Sequence, residues 1–170
     1  MKRILSCLVL IFSLLASHAG TWMPLNSPEP QKAGIHLVSS NITSSVIEFQ
    51  IPGFYLEPVQ TPRGTENIVE VGNSSRILLA GAPDLPKLTA SVIIPDEAMM
   101  GIRILSSSYT DYSGIEVAPL VGNFTRDIDP ASVPYTYEPE YQTNRFFPES
   151  EAELRDPFIL RDFRGQTIVV

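Results

Sequence analysis

Apolar and polar residues alternate along much of this chain in short runs that end at proline or glycine, the pattern of half-buried β-strands. In the segment 46–51, Ile47, Phe49 and Ile51 fall on one face. In the segment 88–94, every even-numbered position is apolar, and a proline follows. Each run therefore predicts a strand with one face turned towards a core.

The same signals predict further strands and a hairpin turn at Pro62-Arg63-Gly64. The additional strands are predicted at 54–60, 68–71, 102–106, 115–117 and 166–170. Helical spacing of apolar residues is missing, and 149–155 is predicted to form one or two helical turns at most. Regular strands separated by turns favour a sandwich or a barrel-like fold. We predict an all-β, antiparallel β-sandwich with long Pro-rich connections.

The last predicted strand, 166–170, follows Asp162-Phe163-Arg164-Gly165 as the second arm of a hairpin. The strand pattern stops there without a turn or a polar tail. We therefore expect incomplete last strands and a domain that is truncated at its C-terminal end.

The first nineteen residues are typical of a secretory signal peptide. Lys2 and Arg3 precede an apolar stretch, 4–16, that is too short to span a bilayer, and small residues lead up to Ala19. We predict cleavage after Ala19 and export to the periplasm or beyond the cell. The prolines of the segment 20–33 then predict a flexible N-terminal arm.

Charge and cysteine content narrow the functional classes. Without Lys2 and Arg3, the remaining 10 basic and 19 acidic residues give a net charge of −9. An acidic chain without a basic cluster is a poor match to nucleic acid or to an anionic membrane. The only cysteine, Cys7, lies in the predicted signal peptide, so packing alone is expected to hold the domain together.

Catalytic chemistry has few candidates beyond the signal peptide. His36 is the only remaining histidine and no cysteine is left, which excludes a Cys–His dyad and a multi-His or thiolate metal site. A Ser–His–Asp triad through His36 is formally possible, but no serine stands in a Gly-x-Ser-x-Gly elbow. We predict no catalytic residue, metal or cofactor and rank an enzymatic function last.

Two groups of carboxylates remain. Asp127 with Asp129 suggests calcium only weakly, because no Asp-x-Asp-x-Asp-Gly pattern follows. Glu149, Glu151 and Glu153 form the other group. We interpret both as solvated surface charge.

Arg126 stands out in the most turn-like stretch of the chain, between Gly122 and Pro130. The prolines around it bias the backbone towards extended conformations, which a protease cleft binds through main-chain hydrogen bonds. A guanidinium also suits a deep acidic pocket, because it can bind a carboxylate through two bonds. The alternative is an exposed turn arginine paired loosely with Asp127 or Asp129.

Several motifs resemble the N-terminal propeptides of the gingipain family of secreted bacterial cysteine peptidases. The resemblance covers about 34–170, read as one domain. It is carried by Gly81-Ala82-Pro83-Asp84-Leu85-Pro86, Val117-Ala118-Pro119, Val133-Pro134-Tyr135, Phe146-Phe147-Pro148 and Asp156-Pro157-Phe158-Ile159-Leu160-Arg161-Asp162-Phe163-Arg164-Gly165-Gln166.

The resemblance implies a β-sandwich prodomain that assists folding of a cysteine endopeptidase and holds it latent. It implies that Arg126, flanked by Thr125 and Asp127, forms an inhibitory loop that enters the specificity pocket of the catalytic domain, in cis or in trans. The prodomain itself has no catalytic activity on this reading, because the catalytic cysteine and histidine belong to the peptidase domain.

A second hypothesis is a stand-alone exported β-sandwich that binds a surface protein or glycan. A large exposed aromatic patch would favour it. Its candidate members are Phe124, Tyr135, Tyr137, Tyr141 and Phe146.

Overall fold

The structure is a computed structural model that describes residues 20–170. The predicted signal peptide and its cleavage site at Ala19 lie outside the described residues. Within 20–170, no helix is both long enough and apolar enough to cross a membrane.

The described residues form an all-β fold of antiparallel sheets, which confirms the predicted fold class. The strands are β1 Thr21–Pro24, β2 Gly34–Ser40, β3 Ser45–Gln50, β4 Gly53–Thr61, β5 Gly64–Glu70, β6 Ser75–Arg76, β7 Pro86–Lys87, β8 Thr89–Ile94, β9 Glu153–Leu154, β10 Phe158–Leu160 and β11 Phe163–Val169. Two short 3₁₀ helices, Pro130–Ser132 and Pro139–Gln142, lie between β8 and β9.

The strands pair in four sheets. One has the order β1-β4-β5, and another has the order β10-β11-β8 with β9 also paired to β11. β2 pairs with β3, and β6 pairs with β7. β4 and β5 meet at Thr61 and Gly64 across the predicted turn, which is confirmed.

The hydrophobic core lies where three of these sheets meet. Ala33, Val71 and Leu88 are buried together. The partly buried side chains packed against them are Ile35 on β2, Phe49 on β3, Ile51 just after β3 and Phe54 on β4. The alternation predicted for 88–94 is confirmed, since Leu88 is buried and Ile93 is exposed.

The segment 20–33 is built into the fold and is not the flexible arm that its prolines predicted. β1 pairs with β4 from Thr21 to Pro24, and the Trp22 ring lies 5.0 Å from that of Tyr55. The Trp22 indole N–H also donates to the Ser27 carbonyl at 3.2 Å. β1 pairs with the edge of β4 that β5 leaves open, and the packing of the aromatic Trp22 there outweighs the local effect of the prolines.

Three other local predictions were wrong. The segment 102–106 contains no strand, and Ile102 and Ile104 are exposed. The strand predicted at 115–117 is reduced to one bridge between Val117 and Asn67. Residues of 149–155 form strand β9 in place of helical turns. Alternation produces a strand only where a neighbouring strand accepts its backbone hydrogen bonds.

The end of the described chain forms the predicted hairpin. β10 and β11 pair around Arg161 and Asp162, with Leu160 opposite Phe163. β11 also pairs with β8 along its length. The predicted truncation of the domain stays a prediction.

Candidate functional site

The candidate site is the loop of residues 121–135, which carries Arg126. Two stretches hold its ends. We call 117–120 the outgoing stem and 136–141 the returning stem. Neither stem is a regular strand.

Backbone hydrogen bonds fix the outgoing stem on both sides. The Ala118 N–H donates to the Asn67 carbonyl at 2.8 Å, which attaches the stem to β5. On the other side, the Leu120 N–H donates to Ala82 at 2.9 Å, and the Asp84 N–H donates to Ala118 at 2.9 Å. Ala118, Pro119 and Leu120 are all buried. The outgoing stem is therefore rigid up to the point where the loop begins.

Gly81 joins the two stems. Its N–H donates to the Leu120 carbonyl at 2.7 Å, and its carbonyl accepts from the Glu138 N–H at 3.0 Å. Its φ of +81° is a left-handed conformation, and an added Cβ would lie 2.6 Å from Glu138 Cγ. Only glycine allows this backbone conformation together with this close approach.

Asp84 anchors the segment that carries Gly81. Its buried carboxylate lies 2.5 Å from the Arg76 guanidinium, which lies 2.5 Å from Glu70 on β5. Burial alone lowers the pKa of Arg76, but the hydrogen bond to Asp84 and the charges of both carboxylates outweigh it and raise that pKa. The group Glu70–Arg76–Asp84 thus ties the segment 81–84 to the sheet.

Tyrosine side chains hold the returning stem. The Tyr137 hydroxyl donates to Glu66 at 2.6 Å, and the Tyr141 hydroxyl donates to the Val117 carbonyl at 2.9 Å. The two rings pack edge to face at 5.0 Å. Arg63, at the tip of the β4–β5 hairpin, lies over the Tyr137 ring at 3.6 Å. Burial, followed by the hydrogen bond to Glu66, raises the pKa of Tyr137.

Between these stems, Arg126 occupies an exposed turn. The Ile128 N–H donates to the Thr125 carbonyl at 3.1 Å and closes the turn around Arg126 and Asp127. The ion pairs found within 20–170 do not include Arg126. Arg126 is thus exposed, and the loose ion pair of the alternative interpretation is not among those found within 20–170.

The neighbouring carboxylates have other partners. A hydrogen bond from Thr125, followed by one from its own backbone N–H, lowers the pKa of Asp127. The Asp129 carboxylate accepts from the Ala131 N–H at 3.0 Å. The Asp129 backbone carbonyl accepts from the Ser132 N–H and hydroxyl, at the start of the first 3₁₀ helix. Both acids therefore stabilise the local backbone.

The remaining candidates are dispersed over the surface. His36 is exposed on β2, opposite Glu48. Glu149 lies 3.5 Å from Arg145, and Glu153 lies 3.1 Å from Arg155, all at exposed positions. In residues 20–170, no three acidic or histidine side chains are grouped as metal ligands would be.

The five aromatic residues of the second hypothesis do not make one exposed patch. Tyr137 and Tyr141 pack against each other in the returning stem. Phe124 and Tyr135 are half-buried, whereas Phe146 is 90% exposed. The structure therefore supports the packing role of Tyr137 and Tyr141 and not the aromatic platform.

Sequence reasoning missed the residues that hold the stems. Arg63, Glu66 and Asn67 belong to a hairpin far from the loop in sequence, and no local pattern connects them to it. The Gly81–Pro86 motif contributed only to the family resemblance, and nothing in its sequence revealed that it holds the stems.

The family model Propeptide_C25 matches residues 27–170. The chain belongs to the Propeptide_C25 family of gingipain propeptides. Two curated relatives agree with this family assignment. Gingipain R1 of Porphyromonas gingivalis is 33% identical over 132 residues, which are 78% of this chain and 13% of the relative. Gingipain R2 of the same species (strain W83) is 31% identical over 167 residues, which are 98% of this chain and 22% of the relative. The Propeptide_C25 chain thus spans less than a quarter of either relative.

Two solved structures resemble this Propeptide_C25 domain. The complex of the P. gingivalis RgpB pro- and mature domains superposes with a TM-score of 0.76 at 31% identity, covering 79% of this chain and 71% of the other. A structure described as giving insight into the zymogenic latency of P. gingivalis gingipain K has a TM-score of 0.74 at 17% identity, covering 89% and 85%. At 17% identity, the likeness to the gingipain K structure concerns the fold alone.

Proposed function

We propose that this propeptide holds a gingipain-type cysteine endopeptidase latent, and assists its folding, by docking on the catalytic domain with the loop 121–135 as its inhibitory loop. One observation carries the proposal: both stems of the loop are fixed, while Arg126 is exposed in a turn and forms no ion pair within 20–170. A free guanidinium on an anchored loop is suited to a partner's carboxylate. The solved complex of the RgpB pro- and mature domains supports docking of the propeptide on a catalytic domain.

The turn explains how an arginine can occupy a specificity pocket without acting as a good substrate. A protease cleft binds extended backbone, but the bond from Ile128 to Thr125 closes the chain directly after Arg126. Arg126 would thus fill the specificity pocket, while the backbone after it would not adopt the extended conformation that a protease cleft binds.

In this role the propeptide has no catalytic activity of its own and requires neither metal nor cofactor. Its partner is the catalytic domain of a gingipain-type peptidase, in cis or in trans. The predicted signal peptide makes it an exported protein that acts in the periplasm or outside the cell. The N-terminal sequence of the exported protein should begin at Gly20.

Inhibition of an arginine-specific gingipain by the purified protein tests the proposed function. Wild-type protein should inhibit, and Arg126→Ala should raise the inhibition constant about 30-fold or more, as expected for a central interface residue. Arg126→Lys should lie between the two, because lysine keeps the charge and loses the two-bond geometry. A lysine-specific relative of the peptidase should be inhibited less well.

Arg145→Ala is the matched control, because it removes an exposed arginine outside the loop. It should leave the inhibition constant within about twofold of wild type. Equal inhibition by wild type and Arg126→Ala would disprove the role of Arg126, and no inhibition by wild type would disprove the proposed function.

A further inference from the structure

Arg63 makes the most unusual contact outside the loop itself. It lies at the exposed tip of the β4–β5 hairpin, where a side chain is expected to point into solvent. Its guanidinium carbon is instead 3.6 Å from the centre of the Tyr137 ring and 5.4 Å from that of Tyr141. A cation over an aromatic face is attracted by the ring's quadrupole, most strongly when water is excluded.

The contact belongs to a connected group. Tyr137 donates to Glu66, which is buried on β5 although it is acidic. Tyr141 packs against Tyr137 and donates to the carbonyl of Val117, in the outgoing stem. The group therefore connects the β4–β5 hairpin to both ends of the loop 121–135.

We infer that Arg63, Tyr137 and Tyr141 form a clamp that fixes the loop before a partner binds, and that Arg63 is a positioning residue for Arg126. The effect of the clamp on inhibition rests on the proposed function, whereas the existence of the clamp does not. Fixing a loop in its bound conformation lowers the entropy lost on binding and strengthens the complex. Arg63 acts through the loop and does not contact the peptidase.

Hydrogen exchange of the free protein tests the clamp without any peptidase. In Arg63→Ala, the amides of Ile128 and Glu138 should exchange roughly threefold to tenfold faster than in wild type, the factor expected for one lost cation–π contact. The amides of β8 and β11 should exchange at the wild-type rate, because Arg63 is exposed and its loss leaves the core unchanged. Tyr137→Phe keeps the ring and loses the bond to Glu66, so it should show a similar local effect. Arg145→Ala is again the control with the same change in charge.

Inhibition measured as a double-mutant cycle tests the consequence. Arg63→Ala should raise the inhibition constant roughly threefold to tenfold. In the Arg126→Ala background, Arg63→Ala should change the inhibition constant by less than about twofold, because the clamp then has no arginine to position. Arg63→Lys should recover part of the loss.

The outcomes separate the inference from the proposed function. Unchanged exchange at Ile128 and Glu138 in Arg63→Ala overturns the clamp, whatever inhibition shows. Faster exchange with unchanged inhibition overturns the positioning role. An equal loss of inhibition with and without Arg126 means that Arg63 contacts the partner directly, which also overturns it. If wild type does not inhibit, the proposed function fails and the positioning role with it, while exchange still decides the clamp.

Discussion

Two arginines of this propeptide stand in opposite electrostatic surroundings. Arg76 is held between two carboxylates, each 2.5 Å away, and one of these, Asp84, is 6% exposed. Arg126 is exposed in a turn whose acidic neighbours bind the local backbone and Thr125. A paired, half-buried arginine fixes the fold, whereas an exposed one remains available to a partner.

Asp84→Asn tests the structural pair. Asparagine keeps the shape and removes the charge, which leaves Arg76 with Glu70 as the remaining one of its two counter-ions. We expect the free energy of unfolding to fall by about 1–3 kcal/mol. Chemical denaturation followed by circular dichroism measures the change.

Glu153→Gln is the control for that substitution. Glu153 is also paired with an arginine, at 3.1 Å, but both side chains are more than half exposed. Its loss should change the free energy of unfolding by less than about 0.5 kcal/mol. Equal effects of the two substitutions would show that burial does not distinguish the two ion pairs.

At the scale of elements, the loop is defined by its two stems. Neither is a regular strand, and the returning stem runs into the second 3₁₀ helix, yet each is hydrogen-bonded at buried or half-buried positions, and both meet at Gly81. The Gly81–Pro86 motif is thus the anchor of the loop. Its glycine is required by the φ of +81° and by the contact with Glu138.

Gly81→Ala should disturb both stems at once. The new Cβ would lie 2.6 Å from Glu138 Cγ in a conformation that alanine disfavours. We expect a loss of about 1–3 kcal/mol in the free energy of unfolding. Inhibition should weaken as well, because the returning stem must move.

Gly101→Ala provides the comparison for the glycine substitution. Nothing lies within 4 Å of a Cβ at this position, and its φ is not in the left-handed region. The substitution should be neutral or slightly stabilising, by less than about 1 kcal/mol. A neutral Gly81→Ala would mean that the stems do not need this close approach.

At the scale of the whole molecule, one small core holds three sheets together. Leu88 is 2% exposed and packs with Ala33 and Val71. Its backbone exchanges two hydrogen bonds with Val170, at 2.7 and 2.9 Å, which extends the pairing of β8 with β11. The described residues include no cysteine, so their stability depends on packing of this kind.

Leu88→Ala should therefore destabilise the entire domain. A cavity at a fully buried leucine costs about 2–5 kcal/mol, and the unfolding midpoint in urea should fall accordingly. Leu105→Ala, at a position 63% exposed in the segment without strands, should have an effect below about 0.5 kcal/mol. Similar midpoints for the two variants would contradict the assignment of the core.

Local periodicity predicted the strands well where a partner strand was available. The alternating segments 46–51 and 88–94 form β3 and β8, and the predicted turn Pro62–Gly64 connects β4 to β5. The same kind of alternation at 102–106 produced an exposed segment without strands. The difference lies in the neighbours, because a strand needs a second backbone to accept its hydrogen bonds.

The sequence by itself determined the all-β class, the family through its motifs, and an exposed arginine in a turn, because these depend on local residue types and spacing. Tertiary structure alone decided how that arginine is presented. Arg63, Glu66 and Gly81 meet the two stems only after the chain has folded, since they are separated from them by tens of residues. The proposed role of Arg126 as an inhibitor therefore depends on long-range contacts that hold its loop, and periodicity cannot reveal such contacts.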